Sequence, residues 1–241
     1  MNIRTIEIAV ILIALVVAFT GIVSATPIGA DGTKGANVTR TTFAATTHVA
    51  GGGNITPIDL SAMQQTEHWQ GYYGNVNSVI TLDDADGNTM YNWTNTNTTG
   101  EVYATLRDLT PLWSSYGGSM NLVSADSNFY LVSEPDSIEN TFTKNSSTGF
   151  TMGDTNFPSN SCPTVKTDGG TEGDAAWETV LLHNGEWEVF DWIFVGIINE
   201  TQPSFLAQDG GEETCDYQMI VPINCDPFGQ HHTYYFYVEI T

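Results

Sequence analysis

Trp177-Glu178-Thr179-Val180-Leu181-Leu182 is followed by His183-Asn184-Gly185-Glu186, and then by a run from Trp187 to Ile198. The first segment is rich in residues that suit a pleated, half-buried surface. Asn-Gly is the dipeptide favoured in tight hairpin turns, so the second run is expected to return antiparallel to the first. Within that return, Ile193, Val195 and Ile197 fall on one face of an extended chain. Trp192, Phe194 and Ile198 fall on the other. A strand that is apolar on both faces is a central strand covered on both sides, or one that faces a partner.

The same period of two recurs on either side. Glu101-Val102-Tyr103-Ala104-Thr105-Leu106 alternates, with Val102, Ala104 and Leu106 on one face. Thr233 to Ile240 sets Phe236, Val238 and Ile240 toward a core, with Tyr235 and Tyr237 opposite. Ser78 to Leu82 and Thr89 to Thr94 flank the turn residues Asp83 to Asn88 and read as a hairpin. Tyr217 to Val221 reads as a strand, and a strand-like stretch is expected from Ile55 through Ile58 to Leu60. Between about Leu109 and Gly170 the pattern breaks into short strands and long loops. No helical period of useful length follows the N-terminal segment. The expected fold is all-β, a two-sheet β-sandwich of the immunoglobulin-like or jelly-roll-like kind, over residues 54–241.

Composition excludes some functions. Six Lys and Arg stand against 28 Asp and Glu among 241 residues, giving a formal net charge of −22. Such a field repels nucleic-acid phosphates and anionic lipid headgroups. Divalent cations, basic surfaces and salty media remain compatible. Thr, Asn, Ser and Gly supply the polar surface in place of charge.

Residues 1–25 read as a secretory signal peptide: Arg4, an apolar run from Ile8, then Val23-Ser24-Ala25 as a cleavage site. The alternatives are a retained membrane anchor or a pilin-type leader, for which Glu7 would suit but the residue before Ile6 would not. Contact with a membrane is expected only through this segment, if it is uncleaved. Residues 26–53 read as an extended arm or linker. Six N-x-S/T sequons follow, at Asn37, Asn54, Asn92, Asn97, Asn145 and Asn199, so N-linked glycans are expected on an outer surface.

Export makes a disulfide plausible. The strand between Cys215 and Cys225 would hold them about 20 Å apart, whereas a disulfide needs Cα atoms within about 7 Å. Cys162 is therefore expected to pair with Cys215, or alternatively with Cys225. Asp84, Asp86 and Asn88 resemble the start of a calcium loop, although Asn95 stands where the closing Glu should be. A plain hairpin turn explains the same residues. His231-His232 beside Cys225 reads as a polar loop, and the tryptophans read by default as core. Glu134, Asp136, Glu172, Asp174, Glu212 and Glu213 offer loop carboxylates, but no spacing singles out a glycosidase pair. No nucleophile elbow, metalloprotease motif, phosphate loop or dinucleotide fingerprint occurs. No catalytic residue and no cofactor beyond calcium is indicated, and a non-enzyme is expected.

Trp69-Gln70-Gly71-Tyr72-Tyr73-Gly74-Asn75-Val76, Gly87-Asn88, Tyr91-Asn92-Trp93, Tyr217 to Pro222 and Tyr234 to Glu239 resemble strings in a group of exported archaeal surface proteins of undefined function. The resemblance spans roughly residues 54–106 and 177–241. It implies an extracellular, sheet-rich protein and carries over no catalytic residue. The combined expectation is a glycosylated cell-surface protein that assembles with itself or with other surface proteins. One form of it is a pilus-like filament built by strand donation from the arm; others are a coat protein or an adhesin. The alternative is a carbohydrate- or calcium-binding module.

Overall fold

In a computed structural model, the residues described are 26–36, 47–59, 65–94, 99–108, 113–118, 121–167, 177–185, 191–200, 202–203, 214–223 and 232–240. The strands, in chain order, are β1 (Ile28–Gly29), β2 (Trp69–Gly74), β3 (Val79–Asp83), β4 (Thr89–Thr94), β5 (Gly100–Thr105), β6 (Lys144–Asn145), β7 (Phe150–Met152) and β8 (Thr155–Phe157). They continue as β9 (Pro163–Thr167), β10 (Trp177–His183), β11 (Trp192–Ile197), β12 (Gln202–Pro203), β13 (Thr214–Cys215), β14 (Tyr217–Pro222) and β15 (Tyr235–Ile240). Among the described residues, two short α-helices, α1 (Leu122–Asn128) and α2 (Ile138–Thr141), and one 3-10 turn (Trp113–Ser115) interrupt them.

The organising element is a seven-stranded antiparallel sheet in the order β1-β15-β5-β11-β10-β9-β6. The expected central strand, β11, is its middle member. The two apolar faces of β11 feed two separate cores. Trp192, Phe194 and Ile198 join Val102, Ala104, Leu106 and Leu181 on one face. The β14–β2 ribbon crosses that face, contributing Met219 and Val221, and the helical segment adds Ala125, Phe129, Ile138 and Phe142. Ile193 and Val195 join Tyr103, Val180, Leu182 and Tyr237 on the other face. There they meet Trp113, Tyr116 and the β7–β8 hairpin residues Phe150, Met152 and Phe157. The sheet is thus sandwiched between two covering layers. Gly196 permits the close crossing: a Cβ there would lie 3.3 Å from Cβ of Met219.

The last described pair of β10 and β11 is His183↔Trp192, and residues 186–190, on the far side of the expected Asn184-Gly185 turn, lie outside the described residues. Gly185 has φ +91° and donates its N–H to Nδ1 of His183 at 2.9 Å. Three local expectations change. The stretch from Ile55 is not a strand; Ile55 and Ile58 are exposed. Pro57 removes a ladder donor there, and among the described residues no partner strand pairs with it. Leu60 lies outside the described residues. The second change is α1, whose seven residues are too few to show a period. The cap identifies it instead: Oδ1 of Asn121 accepts the Val123 N–H at 3.1 Å. Asp126, on α1, accepts the Ile138 N–H at 2.5 Å and so caps α2. The third change concerns the tryptophans. Trp113, Trp177 and Trp192 are core residues and Trp69 is half-buried, but Trp93 is exposed.

Candidate functional site

The site begins with the first described residues of the arm. Pro27 is buried, and Ile28 and Gly29 pair antiparallel with Val238 and Tyr237 of β15. The Ala30 N–H donates to the Phe236 carbonyl at 3.1 Å. Proline suits an edge strand because it has no N–H to leave unpaired. On its other side β15 is paired along its whole length with β5, from Tyr235↔Thr105 to Ile240↔Gly100. The outer edge of a six-residue strand is therefore covered by a strand of two residues.

Beneath this edge lies a pair of buried carboxylates. Glu239 of β15 stands directly across from Glu101 of β5, and they are 2% and 6% exposed. Tyr103, on the same face, donates its hydroxyl proton to Oε2 of Glu239 at 3.0 Å. The Gly153 N–H, at the β7–β8 turn, donates to both oxygens of Glu239 at 3.1 Å. Oε2 of Glu101 is buried with no hydrogen-bond partner. Burial, and then the charge of Glu239, push the Glu101 carboxyl up to about 8. Burial also raises Glu239, against the opposing bonds from Gly153 and Tyr103. Two carboxylates and one phenol hold too few protons for three partners, and a proton on Glu101 supplies the missing donor. The arm sits over this network. Pro27 is next in register to Glu239, and a Cβ on Gly153 would lie 3.9 Å from Cγ2 of Thr26.

A second exposed feature is the β3–β4 hairpin, a sheet of its own. Ile80↔Trp93 and Leu82↔Tyr91 are cross-strand pairs, so these four side chains share a face. All four are about half exposed, and the Tyr91 and Trp93 rings meet edge to face at 4.7 Å. The two aromatics do lie opposite Asn92, but neither faces a core. The turn explains the calcium-like residues. Asp84 Oδ1 accepts the N–H groups of Asp86 (2.9 Å) and Asn88 (2.8 Å), and Oδ2 accepts from Nδ2 of Asn88 at 2.8 Å. Those bonds, led by the Asn88 side chain, hold Asp84 below the usual carboxylate range.

Among the sequons, Asn54, Asn92, Asn145 and Asn199 are exposed, whereas Asn37 and Asn97 lie outside the described residues. Asn145 is on β6, the edge strand at the far end of the main sheet from β1. Cys162 and Cys215 are both buried, and the expected bond between them is not formed. Cys162 packs in the core beside Tyr116 and Phe157, and Cys215 leads into β14 across the opposite face. Gly118 makes room for the Cys162 thiol, since a Cβ there would fall 2.3 Å from its Sγ. Cys225 lies outside the described residues, as do His231, Glu172, Asp174, Glu212, Glu213 and the whole N-terminal segment 1–25. His232 packs edge-on against Phe129, centroids 6.1 Å apart. No helix among the described residues is long and apolar enough to cross a membrane.

The chain matches no family model, no curated protein and no solved structure.

Proposed function

We propose that this chain is an exported, glycosylated surface protein that assembles by strand addition, its arm pairing with the β15 edge of a neighbouring copy. The observation that carries this reading is the β1–β15 pairing. The arm already makes the contact that polymerisation needs, and it makes it with few bonds. An edge strand held by two residues exchanges readily for the same segment of another chain, and the exchange costs little because both states contain the same pairing. The two edges of the sheet differ in a way that favours head-to-tail growth. A glycan on Asn145 would block the β6 edge, leaving only the β15 edge open to a strand. Export and glycosylation rest on the apolar leader and the six sequons.

Deleting residues 26–36 tests the proposal. The truncated protein should keep its cooperative unfolding, because the two cores lie elsewhere, and should remain monomeric by light scattering under conditions that polymerise the full mature chain. Polymers formed without the arm would rule out strand donation. A second reading, carbohydrate binding, is favoured by the exposed Tyr91 and Trp93 rings. Trp93→Ala would then abolish retention on a glycan array and leave assembly intact.

A further inference from the structure

His68, at the entry to β2, and Glu134 and Asp136, in the α1–α2 connection, bring one imidazole nitrogen and two carboxylate oxygens within 4.8 Å of one another. We propose that these three residues form a binding site for a zinc-class divalent cation, which clamps the β2–β14 ribbon to the helical segment.

The donor set points to the ligand. One nitrogen and two oxygens suit a borderline divalent ion, whereas calcium takes oxygens alone. Geometry allows a common centre. Three atoms within 4.8 Å of each other leave a point no more than about 2.8 Å from all of them. Zinc bonds to such atoms run at ~2.0–2.2 Å, so adjustments of well under 1 Å complete the site. All three side chains are partly buried, which leaves a path for an ion and limits competition from water.

The segments are already tied to one another by groups that do not occupy every ligand position. Nδ1 of His68 lies 2.8 Å from Oδ1 of Asp136. Thr66 donates its hydroxyl to the other Asp136 oxygen, and Trp69 donates its indole N–H to the Asp136 carbonyl at 2.6 Å. Among the described residues, the cluster sets one imidazole against the two carboxylates of Glu134 and Asp136. A divalent ion would supply the charge that two converging carboxylates call for.

The test is titration of the chelator-treated full chain with zinc chloride, read by calorimetry and by the thermal midpoint, with calcium chloride in parallel. Adventitious binding is a real competitor on a chain of charge −22, so the readout is the difference between variants. The site predicts one zinc equivalent bound at micromolar concentration and a thermal midpoint raised by several degrees. Glu134→Gln and His68→Gln should each weaken zinc binding at least tenfold. Glu134→Gln keeps the size of the side chain and should leave the zinc-free midpoint unchanged, which guards against simple misfolding. Zinc binding equal in the wild type and both variants, or a calcium response matching that of zinc, would overturn the proposal.

Discussion

Replacing Glu101 by Gln should make the protein more stable as the solution becomes more alkaline. The reason lies in the buried pair Glu101 and Glu239 and the unpartnered Oε2 of Glu101. A carboxyl whose native pKa is raised keeps its proton longer in the folded chain than in the unfolded one. Its contribution is fully present below the unfolded value of 4.5 and is lost as pH rises toward about 8. Across that window each pH unit costs the native state up to ~1.4 kcal/mol. The full crossing costs up to ~4–5 kcal/mol, a large share of an ordinary domain's ~5–15 kcal/mol. Gln cannot ionise, and its amide keeps a donor in the buried pair at every pH. Urea unfolding of both proteins at intervals from pH 5 to pH 8.5 measures the effect. The wild type should lose stability with rising pH, and the gap between variant and wild type should widen by several kcal/mol. General charge repulsion acts on both chains and cancels in the difference. Asp83, Asp84 and Asp136, whose native pKa values are lowered, make contributions that fade only at more acidic pH. A gap that stays constant within ~0.5 kcal/mol over the range would refute the reasoning.

Gly196→Val should cost ~1–3 kcal/mol in urea unfolding, because the added side chain meets Met219 where a Cβ alone already lies 3.3 Å away. Phe194→Ala should cost ~3–5 kcal/mol, since the ring is fully buried between the β14 crossing and the helical segment. Trp93→Ala, a larger truncation on the exposed hairpin face, should change stability by no more than about 0.5 kcal/mol.

The central sheet was legible because β11 is apolar on both parities, and no other arrangement of Trp192 to Ile198 hides both faces. The division of those residues between two cores follows the alternation residue by residue. The β3–β4 hairpin was legible from its Asp-Gly turn, but its exposure was not. Tyr91 and Trp93 have a core-like composition, but no layer among the described residues covers them. Helix α1 was hidden by its length, with Asn121 as its one local signal. The carboxylate pair was hidden for another reason. Glu101 and Glu239 are 138 positions apart and become neighbours only through the β5–β15 register. His68 and Asp136 likewise meet only when the β2 ribbon lies against the α1–α2 connection. The arm looked extended in sequence, but its docking on β15 depends on an edge that the sequence does not reveal.

Strand donation is tested most directly by trapping the arm on its acceptor. Ile28 and Val238 are register partners, and Cα atoms of such partners lie about 5.5 Å or less apart, within disulfide reach. The double variant Ile28→Cys/Val238→Cys is oxidised after assembly and run on a non-reducing gel beside the two single variants. Donation between copies should give a ladder of covalent multimers from assembled protein and an internally closed monomer from dilute protein. Assembled material that yields only the closed monomer, or a double variant locked as a monomer that still assembles, would contradict it.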